Sequence, residues 1–146
     1  MNTLEIFVVE DEDLLNENGL ADIAFAFKRE VDDLAKKLTS QLGHSVIVGG
    51  WCHMDLDEEA TFRSEFGFPA EALVRIECNG LVMEFGVWLY HGLRGNRALA
   101  EITEFDCNHG RPNHKLGHHR GTTLEVVTWA ANQISDQVHA VISIAA

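Results

Sequence analysis

The sequence lacks the segments that mark membrane-spanning, secreted and repeat proteins. It has no apolar run of about 18 residues, no N-terminal signal peptide, no internal repeat and no low-complexity tract. Its three cysteines, Cys52, Cys78 and Cys107, are odd in number and widely spaced, which argues against a disulfide framework and for reduced thiols. We therefore expect a cytoplasmic protein that does not associate with membranes.

The common catalytic signatures are absent as well. The chain has no P-loop, no dinucleotide-binding fingerprint, no nucleophile elbow and no HExxH helix. Nucleotide hydrolysis, hydride transfer and zincin-type proteolysis are therefore without support. With 146 residues, of which 46% are hydrophobic and 23% charged, the chain has ordinary globular composition and the usual length of one domain. We expect a single α+β domain over residues 1–146.

Cations are scarce in one part of the chain only. Residues 1–84 contain 18 Asp and Glu against 6 Lys and Arg, which accounts for the whole net charge of −12, and residues 85–146 contain five of each sign. The negative part repels phosphate, so we expect it to bind no nucleic acid directly and to have a basic protein as its partner. Solubility alone is the competing interpretation. The candidate partner-binding residues are Asp11, Asp13, Asp57, Glu58 and Glu59.

Hydrophobic spacing predicts the secondary structure. The expected strands cover residues 4–9, 44–51, 72–78, 81–90 and 97–105. The Asn79-Gly80 pair predicts a tight hairpin between the third and fourth of these strands. The Gly49-Gly50 pair in the second strand indicates a bulge or a close backbone approach.

Apolar residues at intervals of three and four predict two amphipathic helices. The first is expected to begin after Asn18 as its N-cap and to end at Gly43, and the second to begin at a capping box, Thr122 to Glu125, and to fray near Val141. Residues 10–19 are expected to form a solvated loop. Residues 53–68 fit either a short helix near Asp57 or an edge strand with Phe62, Phe66 and Phe68 facing inward. The expected fold is α+β, with two amphipathic helices packed on one face of a mostly antiparallel four- to five-stranded sheet.

Residues 106–121, DCNHGRPNHKLGHHRG, contain four of the eight histidines and are expected to form a loop. Loops of about 16 residues are uncommon in compact domains and tend to be functional. One hypothesis is a solvated polar loop beside a sheet edge. A second is acid–base chemistry on a phosphodiester, with two histidines as acid and base and Arg111, Lys115 or Arg120 holding the phosphate. A third is a zinc site, because histidine nitrogen and cysteine sulfur are the ligand atoms that zinc prefers. Asp106 would add an oxygen ligand. The nitrogen and sulfur ligands would come from Cys107, His109, His114 and His118.

The run FDCNHGRPNHK, residues 105–115, follows the predicted strands and precedes the second helix. In this setting it resembles the loop of the TumE-type proteins of toxin–antitoxin modules, where an aromatic-Asp pair is followed by glycine, a cation, and a histidine flanked by a cation. It is also similar to small families with Asp-x-x-His-Gly-x-Pro loops. The TumE resemblance covers at most residues 72–140. It implies a toxin or nuclease role carried by Asp106, Gly110, Arg111, His114 and Lys115.

Two functional hypotheses follow. The leading one is a small acidic binding protein of the inhibitor, immunity or anti-defence kind, which presents residues 1–84 to a basic partner that processes nucleic acid. The alternative is a TumE-like toxin or nuclease that uses residues 106–120, with Asp106, Arg111, His114 and Lys115 as catalytic residues, with or without zinc. Three tryptophans and an open sheet edge are also compatible with a homodimer.

Overall fold

The computed structural model describes residues 6–43, 46–92, 97–105 and 113–145. Its elements in chain order are β1 (Phe7–Val9), α1 (Glu12–Glu17), α2 (Ala21–Leu42), β2 (Val46–Met54), α3 (Arg63–Phe66), β3 (Ala70–Cys78), β4 (Leu81–His91), β5 (Ala98–Phe105), β6 (His114–Gly121) and α4 (Thr123–Ala145). The six strands form one mixed sheet in sequence order, in which β1 pairs with β2 in parallel and every other pair is antiparallel.

One face of the sheet packs against the two long helices. Along β3, Ala70 and every second residue after it are buried, while the residues between them are half-buried. The buried side chains of β3 join those of α2 and α4 in one hydrophobic core. The α+β fold with two amphipathic helices on one face is therefore confirmed, but the described sheet has six strands instead of four or five, and two further short helices are present.

Several predictions of local structure are confirmed. Each concerns a feature that contacts between neighbouring residues determine. Gly43 ends α2 with φ 65°. Asn79 and Gly80 form the hairpin turn with φ 54° and 80°. At the start of α4, the Thr122 N–H donates to Glu125 Oε1 at 3.0 Å and the Glu125 N–H donates to Thr122 Oγ1 at 3.2 Å, which is the capping box.

The prediction of a loop over residues 114–121 is wrong, because these residues form the edge strand β6. Its side chains at His114, Lys115, His118 and Arg120 are exposed, so the strand has no apolar alternation to reveal it. Its amides are held by pairing with β5. Residues 106–112 of the predicted loop lie outside the described residues.

The acidic segment after β1 is also structured, which corrects the predicted loop over residues 10–19. Leu15 is fully buried and fixes α1 to the core. Asn18 ends α1, with its Nδ2 donating to the Leu14 carbonyl at 2.8 Å, while the residue before α2 is Leu20. The predicted fraying of the second helix near Val141 is wrong too, because α4 continues to Ala145. In the described part of the chain, none of the helices could traverse a lipid bilayer.

Candidate functional site

Residues 55–69, which we call the strap, run across the sheet face opposite the long helices. Of the ambiguous residues 53–68, the first two complete β2, and the rest form neither an edge strand nor a helix that begins near Asp57, because the one-turn helix α3 begins at Arg63. Two aromatic rings of the strap, Phe62 and Phe66, lie 5.6 and 5.7 Å from the Tyr90 ring on β4. The Phe62 N–H also donates to the Tyr90 hydroxyl oxygen at 3.3 Å. Tyr90, which is fully buried, therefore anchors the strap.

The edge strand β6 holds the other side of the strap. Both guanidinium Nη atoms of Arg120 donate to the Glu65 carboxylate, one of them at 2.8 Å, and this hydrogen bonding lowers the pKa of Glu65. The Arg120 guanidinium carbon lies 5.9 Å from the Phe62 ring centre and 5.5 Å from that of Phe66. His118 lies 5.0 Å from Phe62, ring centre to ring centre. Because the ion pair is exposed, it orients the strap more than it stabilises the fold.

The first residues of the strap fold through their own carboxylates. The Asp57 N–H donates to Asp55 Oδ1 at 3.0 Å, and the Glu59 N–H donates to Asp57 Oδ1 at 2.9 Å. Aspartate favours this arrangement because its short side chain can accept a hydrogen bond from the backbone two residues later. The turn leaves Asp57, Glu58 and Glu59 exposed.

A cavity of about 160 Å³, which we call the strap cavity, lies between these first strap residues and strands β4, β5 and β6. Four carboxylates and one ammonium group line it, and they belong to Asp55, Asp57, Glu59, Glu101 and Lys115. The cavity therefore has an excess of negative charge, which disfavours anions.

Two aromatic side chains of β4, Trp88 and Tyr90, complete the wall on the sheet side. Burial raises the pKa of Tyr90 to about 12, and the carboxylates of Glu101, Asp55 and Asp57 contribute to the increase. The Tyr90 hydroxyl is thus neutral at physiological pH and presents a polar group to the strap.

The five predicted partner-binding acids lie in two segments, Asp11 and Asp13 after the edge strand β1, and Asp57, Glu58 and Glu59 in the strap after β2. Because β1 and β2 are parallel, the residues after Val9 and those after Cys52 emerge side by side, and the Glu10 N–H donates to the Cys52 carbonyl at 2.8 Å. All five acids are exposed. We call this group, Asp11, Asp13, Asp57, Glu58 and Glu59, the acidic end.

The structure separates the two described members of the predicted zinc site. In the register of β5 and β6, His114 lies opposite Glu104 and His118 lies opposite Glu101. The register shifts between these two positions at a bulge, which puts the two histidines on opposite faces of the sheet. Within the described ranges, no three His, Cys, Asp or Glu side chains are close enough to hold a metal ion. The other zinc candidates, Cys107 and His109, lie outside the described residues, so zinc binding remains a prediction.

Of the four predicted catalytic residues, Asp106 and Arg111 also lie outside the described residues. His114 and Lys115 are exposed on β6, and only Lys115 lines the strap cavity. Three residues of the strap cavity, Trp88, Tyr90 and Glu101, were not predicted as site residues. Strand alternation places each of them on the face opposite the core, but no local pattern shows that a distant segment crosses that face.

The chain matches no protein-family model, no curated protein and no solved structure. The TumE resemblance over residues 72–140 remains a prediction.

Proposed function

We propose that the protein is a small acidic binding protein of the inhibitor, immunity or anti-defence kind, which captures a basic protein partner at the acidic end in the cytoplasm. The observation that supports this function is the set of five exposed acids that follow β1 and β2 in the chain, two of which, Asp57 and Glu59, also line a cavity where four carboxylates face one lysine. The basic partner is proposed to be a protein that processes nucleic acid.

The physical reason is that charges of one sign at one end of a molecule steer an oppositely charged partner and orient it during association. Two arginines of the strap region are already engaged by the protein itself. Arg63 Nε donates to the Glu58 carbonyl at 2.8 Å, and Arg120 is paired with Glu65. The Arg120–Glu65 pair is neutral overall, whereas Arg63 keeps its charge beside Glu58 and offsets part of the negative charge there.

The test compares two variants with the same net charge. The first variant carries Asp57→Asn, Glu58→Lys and Glu59→Lys at the acidic end. Asparagine at position 57 keeps a side-chain oxygen that can accept the hydrogen bond from the backbone N–H of residue 59. The control changes the helices by Asp33→Asn, Glu30→Lys and Asp136→Lys. In about 0.15 M salt, charges more than about 8 Å from a contact are largely screened. We expect the first variant to bind a fluorescein-labelled peptide of ten arginines about tenfold more weakly and the control to bind it within about twofold of wild type.

Fluorescence anisotropy at several salt concentrations measures both affinities. Equal losses in the two variants would show that the peptide responds to net charge alone, and the proposed function would then be wrong.

A second candidate is the TumE-like toxin or nuclease. It is favoured by the position of Lys115 at the strap cavity and of His118 opposite Glu101 on the same face of the sheet, which could supply a cation and an acid–base pair. An assay of RNA cleavage separates the two functions. A nuclease loses cleavage in His118→Ala and keeps it in the control variant of the helices, whereas the binding protein cleaves no RNA.

A further inference from the structure

The size of the strap cavity limits what it can hold. Its volume of about 160 Å³ corresponds to about five water molecules at about 30 Å³ each. Pockets for drug-sized ligands and cofactors usually measure about 300–1,000 Å³. The cavity is therefore of the size of one inserted side chain and too small for a nucleotide.

The charges that line the cavity require that side chain to be cationic. Four carboxylates face one cation, Lys115, and among the described residues Lys115 makes no ion pair. A bare metal ion does not suit the arrangement, because no three of the described carboxylates are close enough together to coordinate one. Separated carboxylates suit a planar guanidinium, whose five N–H donors point in several directions.

The protein itself holds an arginine in this way at another part of the strap. Arg120 donates to both oxygens of Glu65 while its guanidinium lies over the rings of Phe62 and Phe66. The strap cavity offers the same two kinds of group, carboxylates and the aromatic side chain of Trp88, to a cation from outside. Guanidinium suits this combination better than ammonium, since it stacks on aromatic rings and bonds to carboxylates through two atoms.

We propose that the strap cavity is the binding site for one arginine side chain of the basic partner. The guanidinium is held by the carboxylates that line the cavity, Glu101 among them, and packs beside Trp88. This assignment rests on the proposed function, since it specifies how the basic partner is recognised. Lys115 then acts as an internal competitor, because its ammonium group repels the incoming guanidinium.

The assignment predicts opposite changes in arginine affinity when Glu101 and when Lys115 is replaced by a neutral residue. The probe is N-acetyl-L-arginine amide, titrated into the full chain and followed by the NMR signal of the Trp88 indole, which a Trp88→Phe variant identifies. The neutral isostere N-acetyl-L-citrulline amide serves as the comparison ligand, and Asp33→Asn on the outer surface of α2 serves as the control variant. We expect the arginine compound to bind about tenfold more tightly than the citrulline compound, since only the former makes charge-assisted hydrogen bonds.

We expect Glu101→Gln to weaken arginine binding about three- to tenfold, Lys115→Met to strengthen it about two- to fivefold, and Asp33→Asn to leave it unchanged. If Glu101 and Lys115 only maintained the shape of the cavity, both substitutions would weaken arginine binding. Weaker or unchanged binding in Lys115→Met, equal affinity for the citrulline compound, or tighter binding of N-acetyl-L-lysine amide or of AMP overturns the assignment. If the single arginine fails to bind while the ten-arginine peptide still prefers the acidic end, the cavity assignment is wrong and the proposed function stands.

Discussion

Replacing Tyr90 with alanine is expected to destabilise the protein by about 3–5 kcal/mol, as truncations of buried aromatic residues do. Tyr90 is fully buried, and its ring contacts both Phe62 and Phe66 of the strap. The alanine variant loses these contacts and the acceptor of the Phe62 N–H at the same time. The strap should therefore separate from the sheet before the rest of the domain unfolds.

Urea unfolding measures the loss of stability, and limited trypsin digestion measures the release of the strap, because Arg63 lies in α3. Tyr90→Phe is the matched control. It keeps the ring and removes only the hydroxyl, so we expect a loss of about 1 kcal/mol and little additional cleavage after Arg63. An alanine variant as stable as the phenylalanine variant would show that Tyr90 does not anchor the strap.

Gly50→Ala is expected to prevent folding or to destabilise the protein by more than about 4 kcal/mol. Gly50 lies in the middle of β2 with φ +136°, and an added Cβ would come within 1.8 Å of the Leu73 carbonyl oxygen on β3. The clash is with the backbone of a paired strand, which cannot move without breaking the sheet. Circular dichroism and urea unfolding of the purified variant measure the effect.

Gly19→Ala is the control for the backbone conformation alone. Gly19 also has a positive φ, +70°, but an added Cβ would have no atom within 4 Å. We expect a loss of about 1 kcal/mol there. Similar stabilities of the two alanine variants would contradict the close approach of β2 and β3 at Gly50.

The features predicted correctly from the sequence are those that neighbouring residues determine. The apolar periodicity of α2, the capping box of α4 and the Asn79-Gly80 turn involve residues that are only a few positions apart. For the Gly49-Gly50 pair, a bulge or a close backbone approach was predicted, and the structure has the close approach at Gly50, which only glycine tolerates.

The features that were missed depend on contacts that sequence spacing does not show. The strand β6 is exposed at the sheet edge, so it needs no apolar alternation, and α1 is fixed by one buried residue, Leu15. The strap cavity joins residues near position 57 to Glu101 and Lys115, which only the path of the strap across the sheet brings together. Charge counting selected the acids, but the positions of Asp11 and Asp13 depend on the pairing of β1 with β2, and those of Asp57 and Glu59 on the path of the strap.

The most direct test of capture at the acidic end is an amide chemical-shift map of the ¹⁵N-labelled protein with the unlabelled ten-arginine peptide. We expect the largest shifts at residues 55–61, at the amide of Glu101 and at the indole of Trp88. Small shifts are expected along the outer surface of α2, although Asp32 and Asp33 are exposed there. Shifts of similar size on α2 and at the acidic end, or largest shifts at residues 106–112, would contradict capture of a basic partner at the acidic end.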